Sequence, residues 1–97
     1  MSYEIITTFV FSHWIRGVRD PIARKAILQR IDRVAAGNFG ECKAVGSGVS
    51  EMKVRLGKGY RIYYTIKDKT VVVLLCGGNK STQSKDIALT KKLKAEL

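Results

Sequence analysis

The sequence predicts an α+β fold: a small antiparallel sheet with helices laid against one of its faces. Three stretches predict it. Ser50–Tyr64 alternates apolar and polar residues on either side of Gly57-Lys58-Gly59, the pattern of two half-buried strands joined by a tight turn. Asp20–Ala36 repeats its apolar residues at the helical period between a start and a stop signal. Thr70–Cys76 is apolar on both faces, as a central strand would be, and a segment with a leucine at every fourth position follows it.

Taken in order, Tyr3–Val10 is rich in β-branched and aromatic residues and reads as a first strand. Phe11–Val18 reads as a short helix, with Phe11, Trp14 and Ile15 on one side and Ser12 as candidate N-cap; Gly17 weakens or ends it. In the helix over Asp20–Ala36, Asp20 is the N-cap and Pro21 the first helical residue. Ala23, Ile27, Ile31 and Val34 form its stripe, Gly37 stops it, and Arg24, Lys25, Gln29, Asp32 and Arg33 read as a solvated face. Phe39–Val49 is irregular, with a short strand at Cys42–Val45 and a flexible joint at Gly46-Ser47-Gly48.

In the hairpin, Met52, Val54, Leu56, Tyr60, Ile62, Tyr64 and Ile66 make the apolar set. Lys53, Arg55, Arg61, Glu51 and Tyr63 make the polar one, and Lys58 sits at the turn. Asp68-Lys69 leads into the apolar strand, which ends at Gly77-Gly78-Asn79. A C-terminal helix starts near Ser81, with Leu89, Leu93 and Leu97 as its stripe and Lys85, Lys91, Lys92 and Lys94 as a basic face. Short turns make the later strands antiparallel. With no repeat and no linker, residues 1–97 read as one domain.

Composition narrows the function. Eighteen Lys and Arg against eight Asp and Glu give a net charge of +10, which suits a polyanion: nucleic acid, a membrane surface or an acidic protein. No apolar run approaches ~18 residues, and the N-terminus lacks a secretory pattern, so a cytoplasmic protein with no membrane partner is expected. Cys42 and Cys76 lie too far apart for a metal knuckle or a redox pair. Cys76 reads as a small buried hydrophobe, and no disulfide is expected.

Metal catalysis finds little support. His13 is the one histidine, and the carboxylates are scattered rather than convergent. Neither cysteine has a plausible base beside it, and no cofactor is expected. Gly77-Gly78-Asn79-Lys80-Ser81 lacks the spacing of a nucleotide-binding P-loop. Glycines ahead of a helix could still offer backbone N–H groups to one phosphate, with Lys80 as a point charge.

What remains is RNA cleavage without a metal, because RNA carries its own nucleophile, the 2′-OH. Lys53, Arg55 and Arg61 are placed to stabilise charge on the phosphate. Glu51 is the candidate base, and Lys80 or Tyr63 a candidate acid. The same face would equally serve binding without cutting. An aromatic platform for single-stranded RNA is thin, since Tyr60 and Tyr64 fall on the apolar side.

Several segments in fixed order resemble a known family: Phe11-x-x-Trp14, Gly37-Asn38-Phe39-Gly40, Val49-Ser50-Glu51, Gly57-x-Gly59-Tyr60-Arg61-x-Tyr63-Tyr64, and Leu74-Leu75-Cys76-Gly77-Gly78-x-Lys80 with Gln83 and Asp86-Ile87. Over nearly its whole length the chain is similar to RelE/ParE superfamily toxins, in the HigB-like, phage-derived Gp49-like branch known as addiction module killer proteins. The resemblance implies an antiparallel sheet backed by two N-terminal helices, with a C-terminal helix. It implies the toxin of a type II toxin–antitoxin system: a metal-independent mRNA endoribonuclease acting on the ribosome and inhibiting translation. A cognate helix-turn-helix antitoxin is the implied partner. The cleft residues correspond to Lys53, Arg61 and Lys80. Where this branch commonly has Leu-Arg after Glu51, this chain has Met52-Lys53; lysine keeps the charge but loses the bidentate fork, and Arg55 is placed to compensate. A ParE-like, gyrase-directed toxin is the alternative within the superfamily, and a non-catalytic basic RNA-binding module the alternative outside it.

Overall fold

Local signals start the helices. In the computed structural model, which describes residues 2–97, helix α2 (Pro21–Ala35) is capped by Asp20, whose carboxylate accepts from the backbone N–H of Ile22 at 2.9 Å. Helix α1 (Phe9–Arg16) begins two residues before the expected Phe11, because Thr8 rather than Ser12 caps it. The Thr8 hydroxyl accepts from the Phe11 N–H at 3.0 Å and donates to the Leu75 carbonyl at 2.7 Å. One side chain thus starts the helix and pins it to the sheet, and strand β1 is shortened to Glu4–Thr7.

The remaining elements are β2 (Cys42–Gly46), β3 (Val49–Val54), β4 (Tyr60–Lys67), β5 (Val71–Gly78), a single 3-10 turn at Lys80–Thr82 and α3 (Gln83–Ala95). The five strands lie in the order β1-β5-β4-β3-β2. From β5 to β2 the ladders are antiparallel, as short turns require. β1, joined to the rest through two helices, pairs parallel with β5. Cys42 and Cys76 lie on β2 and β5, three strand spacings apart, which at about 4.8 Å each prevents a disulfide.

The helices do not share one face. α1 and α2 cover Met52, Val54, Ile62, Tyr64, Val72 and Leu74. On the opposite face Ile87, Leu89 and Leu93 of α3 pack against Val49, Tyr63, Val73 and Leu75. The one-face expectation fails for a reason present in β5 itself: a strand apolar on both sides needs a cover on both. Leu97, expected in the α3 stripe, lies past the helix end and is 57% exposed. The polar set of the hairpin therefore points at a helix over much of its length, and only its open end faces solvent.

Arg30 fastens α2 to the sheet. Its guanidinium donates to the carbonyls of Lys53 and, at 3.1 Å, Phe39. At the far end of β5, both faces are filled to the backbone. A Cβ on Gly77 would fall within 2.4 Å of three Trp14 ring atoms, and one on Gly78 would meet the Asp86 carboxylate and the Thr82 hydroxyl. Overfilling of this kind costs about 1–3 kcal/mol or more. Gly77→Ala should therefore lower the unfolding free energy by at least about 2 kcal/mol in urea titration. Gly17→Ala, whose Cβ would meet nothing closer than 3.4 Å, should change it by less than about 1 kcal/mol.

Candidate active site

The hairpin brings Lys53 and Arg61 directly opposite each other, and Glu51 opposite Tyr63, on the face that α3 covers. Arg61 is 6% exposed and Glu51 1%. The Arg61 Nε lies 3.6 Å from Glu51 Oε2, and its Nη1 donates to the Gly59 carbonyl at 3.0 Å. Gln83, in the first turn of α3, donates from Nε2 to the same carboxylate at 2.8 Å. A carboxylate buried this deeply is tolerable only beside a cation and a hydrogen-bond donor. Glu51 has both, and in return it offsets the Arg61 charge; the Arg61 Nε has no hydrogen-bond partner among the described residues, and the bond to the Gly59 carbonyl orients the guanidinium.

The open end of this arrangement is a groove of about 390 Å³, lined by Lys53, Arg55, Gly57, Gly59, Arg61 and Lys80. Four cations line it: Lys53 from β3, Arg55 from just past its end, Arg61 from β4 and Lys80 from the 3-10 turn after β5. Five N–H donors on a planar fork suit Arg61 to phosphate oxygens. Lys53 is half-buried and Lys80 exposed at the lip.

Four sequence expectations change here. Glu51 is no accessible base, since its carboxylate is enclosed by Arg61 and Gln83. Tyr63 cannot touch RNA or deliver a proton to it: the ring is fully buried, and burial together with the Glu51 charge pushes its phenol well above the ordinary range. Its hydroxyl has no hydrogen-bond partner among the described residues. Arg55 does not reinforce Lys53. It lies past the end of β3 and gives Nε and Nη2 to Glu41 at 2.7 Å each, a pairing that lowers the Glu41 pKa and raises its own. Nor do the backbone N–H groups near Lys80 wait for a phosphate. Gly77 and Gly78 lie in register with Ile62 and Arg61, the Asn79 N–H donates to the Thr82 hydroxyl, and the Ser81 and Thr82 N–H groups donate to Asn79.

Lys58 keeps its place at the turn, bordering a depression shared with Asn79, Lys80 and Ser81 rather than the Arg61 groove. His13 does not line the groove; it lines a neighbouring cavity that shares Gly57 with it. Among the described residues no three His, Cys, Asp or Glu side chains gather as a metal site would require. No helix of the described residues is long and apolar enough to cross a membrane.

Arg30, Gln83 and Asp86 support the site without having been assigned a role in it. Each carried a signal. Arg30 falls on the Ile27, Ile31, Val34 stripe of α2, and Gln83 and Asp86 fall at helical spacing from Ile87 and Thr90. A polar residue on an inward stripe marks a specific partner.

The family model described as "Phage derived protein Gp49-like" matches residues 14–96. The chain belongs to the phage-derived Gp49-like family. A relative in Haemophilus influenzae (strain Rd), an uncharacterized protein, is 42% identical over 97 residues, covering 100% of this chain and 98% of its own. Among solved structures, an E. coli toxin RelE double arginine-to-alanine mutant in the free state superposes with a TM-score of 0.70 at 21% identity, over 91% of this chain and 97% of that one. The intact E. coli RelBE toxin–antitoxin complex contains a chain matching with a TM-score of 0.62 at 19% identity, over 80% of this chain and 96% of that one. The fold of this Gp49-like protein is thus RelE-like, as the resemblance implied.

Removing one partner from a buried pair costs about 3–5 kcal/mol when contact is close, and somewhat less at the 3.6 Å separation seen here. Glu51→Ala should accordingly lose about 2–4 kcal/mol of stability in urea titration, and Lys53→Ala less than about 1 kcal/mol.

Proposed function

We propose that this Gp49-like protein is the toxin of a type II toxin–antitoxin pair and cuts mRNA without a metal ion. The observation that carries this reading is the Arg61 guanidinium, fixed over a buried carboxylate between Lys53 and Lys80 in an open groove. Such a groove is organised for charge before any ligand arrives, which is what a phosphorane-like transition state needs. In the reaction the 2′-oxygen bonds to the adjacent phosphorus, the bond from phosphorus to the 5′-oxygen breaks, and a 2′,3′-cyclic phosphate and a 5′-OH result. Arg61 and Lys53 hold the non-bridging oxygens. Lys80 delivers a proton to the departing 5′-oxygen, and the 2′-OH loses its own to water.

With Glu51 and Tyr63 buried, the groove offers no carboxylate or phenol that could orient the 2′-OH. The in-line geometry must then come from elsewhere, and we assign it to the translating ribosome, which presents the codon already extended. Cleavage there inhibits translation and places the protein in the cytoplasm. The likeness to a toxin found in a toxin–antitoxin complex supports a cognate antitoxin, which we take to be a small helix-turn-helix protein.

The test is induction in cells followed by mapping of new mRNA 5′ ends. Wild type should produce such ends and arrest growth. Lys80→Ala, which alters an exposed side chain, should retain its circular dichroism spectrum and reduce cleavage by about 10–100-fold. Arg61→Lys should lose about 100-fold or more, because lysine cannot keep both the Gly59 contact and a two-pronged hold on phosphate. Growth arrest with DNA damage and no new mRNA ends would point to gyrase instead, and RNA binding without any cut would point to a non-catalytic module.

A further inference from the structure

The Arg61 groove takes one phosphate, yet a larger cavity adjoins it. About 600 Å³ in volume, it opens between the end of α1, Arg19 and the β3–β4 turn, with His13, Trp14, Lys58, Tyr60 and Asn79 in its walls. The floor is aromatic. Trp14 and Tyr60 meet edge to face with ring centroids 6.4 Å apart. Trp14 has little freedom, because its six-membered ring lies over the bare backbone of Gly77 and Phe11 packs beside it at 5.6 Å. Tyr60, expected to face the core, is half-buried and shows part of its ring to the cavity.

The rim is basic. Arg19 and Lys58 are exposed there, and the one rim carboxylate, Asp20, is spent on capping α2. Asn79 contributes a hydrogen-bonding edge. Its Oδ1 accepts from the backbone N–H of Ser81 at 2.9 Å and the Ser81 hydroxyl lies 2.6 Å away. A backbone donor requires the oxygen on that side, which leaves the amide N–H groups to donate elsewhere. The cavity also runs into the groove. Gly57 lines both, and Lys58, Asn79 and Lys80 border the depression between them.

We propose that this cavity is a nucleotide subsite for single-stranded RNA. The base flanking the scissile phosphate lies against Trp14 and Tyr60, the Asn79 amide donates to an acceptor on its edge, and Lys58 holds the intervening phosphate. The proposal rests on the RNA reading above and adds a source of sequence preference to it. Aromatic contact accepts any base, whereas a fixed N–H donor favours bases that present a carbonyl or ring-nitrogen acceptor.

Trp14 is the one tryptophan in the chain, so its fluorescence reports on the cavity directly. The probe is a 2′-O-methyl tetraribonucleotide, which cannot be cut, titrated against the full chain. Saturable quenching of Trp14 is expected. Lys58→Ala and Asn79→Ser should weaken binding by roughly 5–10-fold each; the serine keeps an oxygen that can cap the turn, loses the amide donor and adds no charge. An oligonucleotide that fails to bind, that binds by anisotropy without altering Trp14, or that binds both variants as tightly as wild type overturns the proposal. Trp14 quenching in a protein that cuts no mRNA on ribosomes would leave the subsite standing and remove the endoribonuclease reading. Cutting without quenching would do the reverse.

Discussion

Arg61 sits in a sheet that is covered on both faces, with almost no access to water, and it can do so because Glu51 lies beside it. A cation in that position without a partner would cost several kcal/mol. The carboxylate that offsets this cost must itself be satisfied, and Gln83 of α3 supplies the hydrogen bond. Helix α3 is therefore more than a cover for β4 and β5. Its first turn completes a polar network whose other members lie on β3 and β4. Loosening α3 would rehydrate Glu51, release Arg61 and blur the groove at the same time.

The same logic places Lys80. Gly78 has no side chain because Asp86 and Thr82 occupy that space. Asp86 accepts from the Thr82 hydroxyl, which also accepts from the Asn79 N–H. The chain leaving β5 is thereby forced into a tight 3-10 turn before α3 begins, and Lys80 emerges at the groove lip. A bulkier residue at Gly78 would move the turn and the lysine together.

Much of this architecture was legible in the residues, and what was not legible has a common cause. The Asp20-Pro21 start, the period of the hairpin and the doubly apolar β5 are local signals, and each produced the expected element. The placement of α3 was also implied by β5, whose second apolar face needed a partner, but alternation in the hairpin suggested solvent there. Alternation reports which side chains share a face. It does not report what lies over that face. Glu51, Arg61 and Tyr63 were correctly grouped and wrongly exposed for this reason. Arg55 failed differently: whether a surface arginine is free depends on a carboxylate fourteen residues away, Glu41, and spacing says nothing of that contact.

Two carboxylates, Glu41 and Glu51, bear on how the groove concentrates charge. At +10 the chain repels itself, and simply adding cations would deepen that cost without focusing it. At the rim, Glu41 occupies Arg55 in an exposed pair that adds little stability but offsets one competing positive charge at the mouth. Under the floor, Glu51 takes the opposite role, since its burial lets a guanidinium stay where field lines converge. One carboxylate thus quiets the edge and the other supports the centre. Lys53, Arg61 and Lys80 remain as the cations an incoming phosphate would meet. On the proposed RNA reading, the aromatic cavity beside them would provide what charge alone lacks, a surface that distinguishes a nucleotide from any other anion.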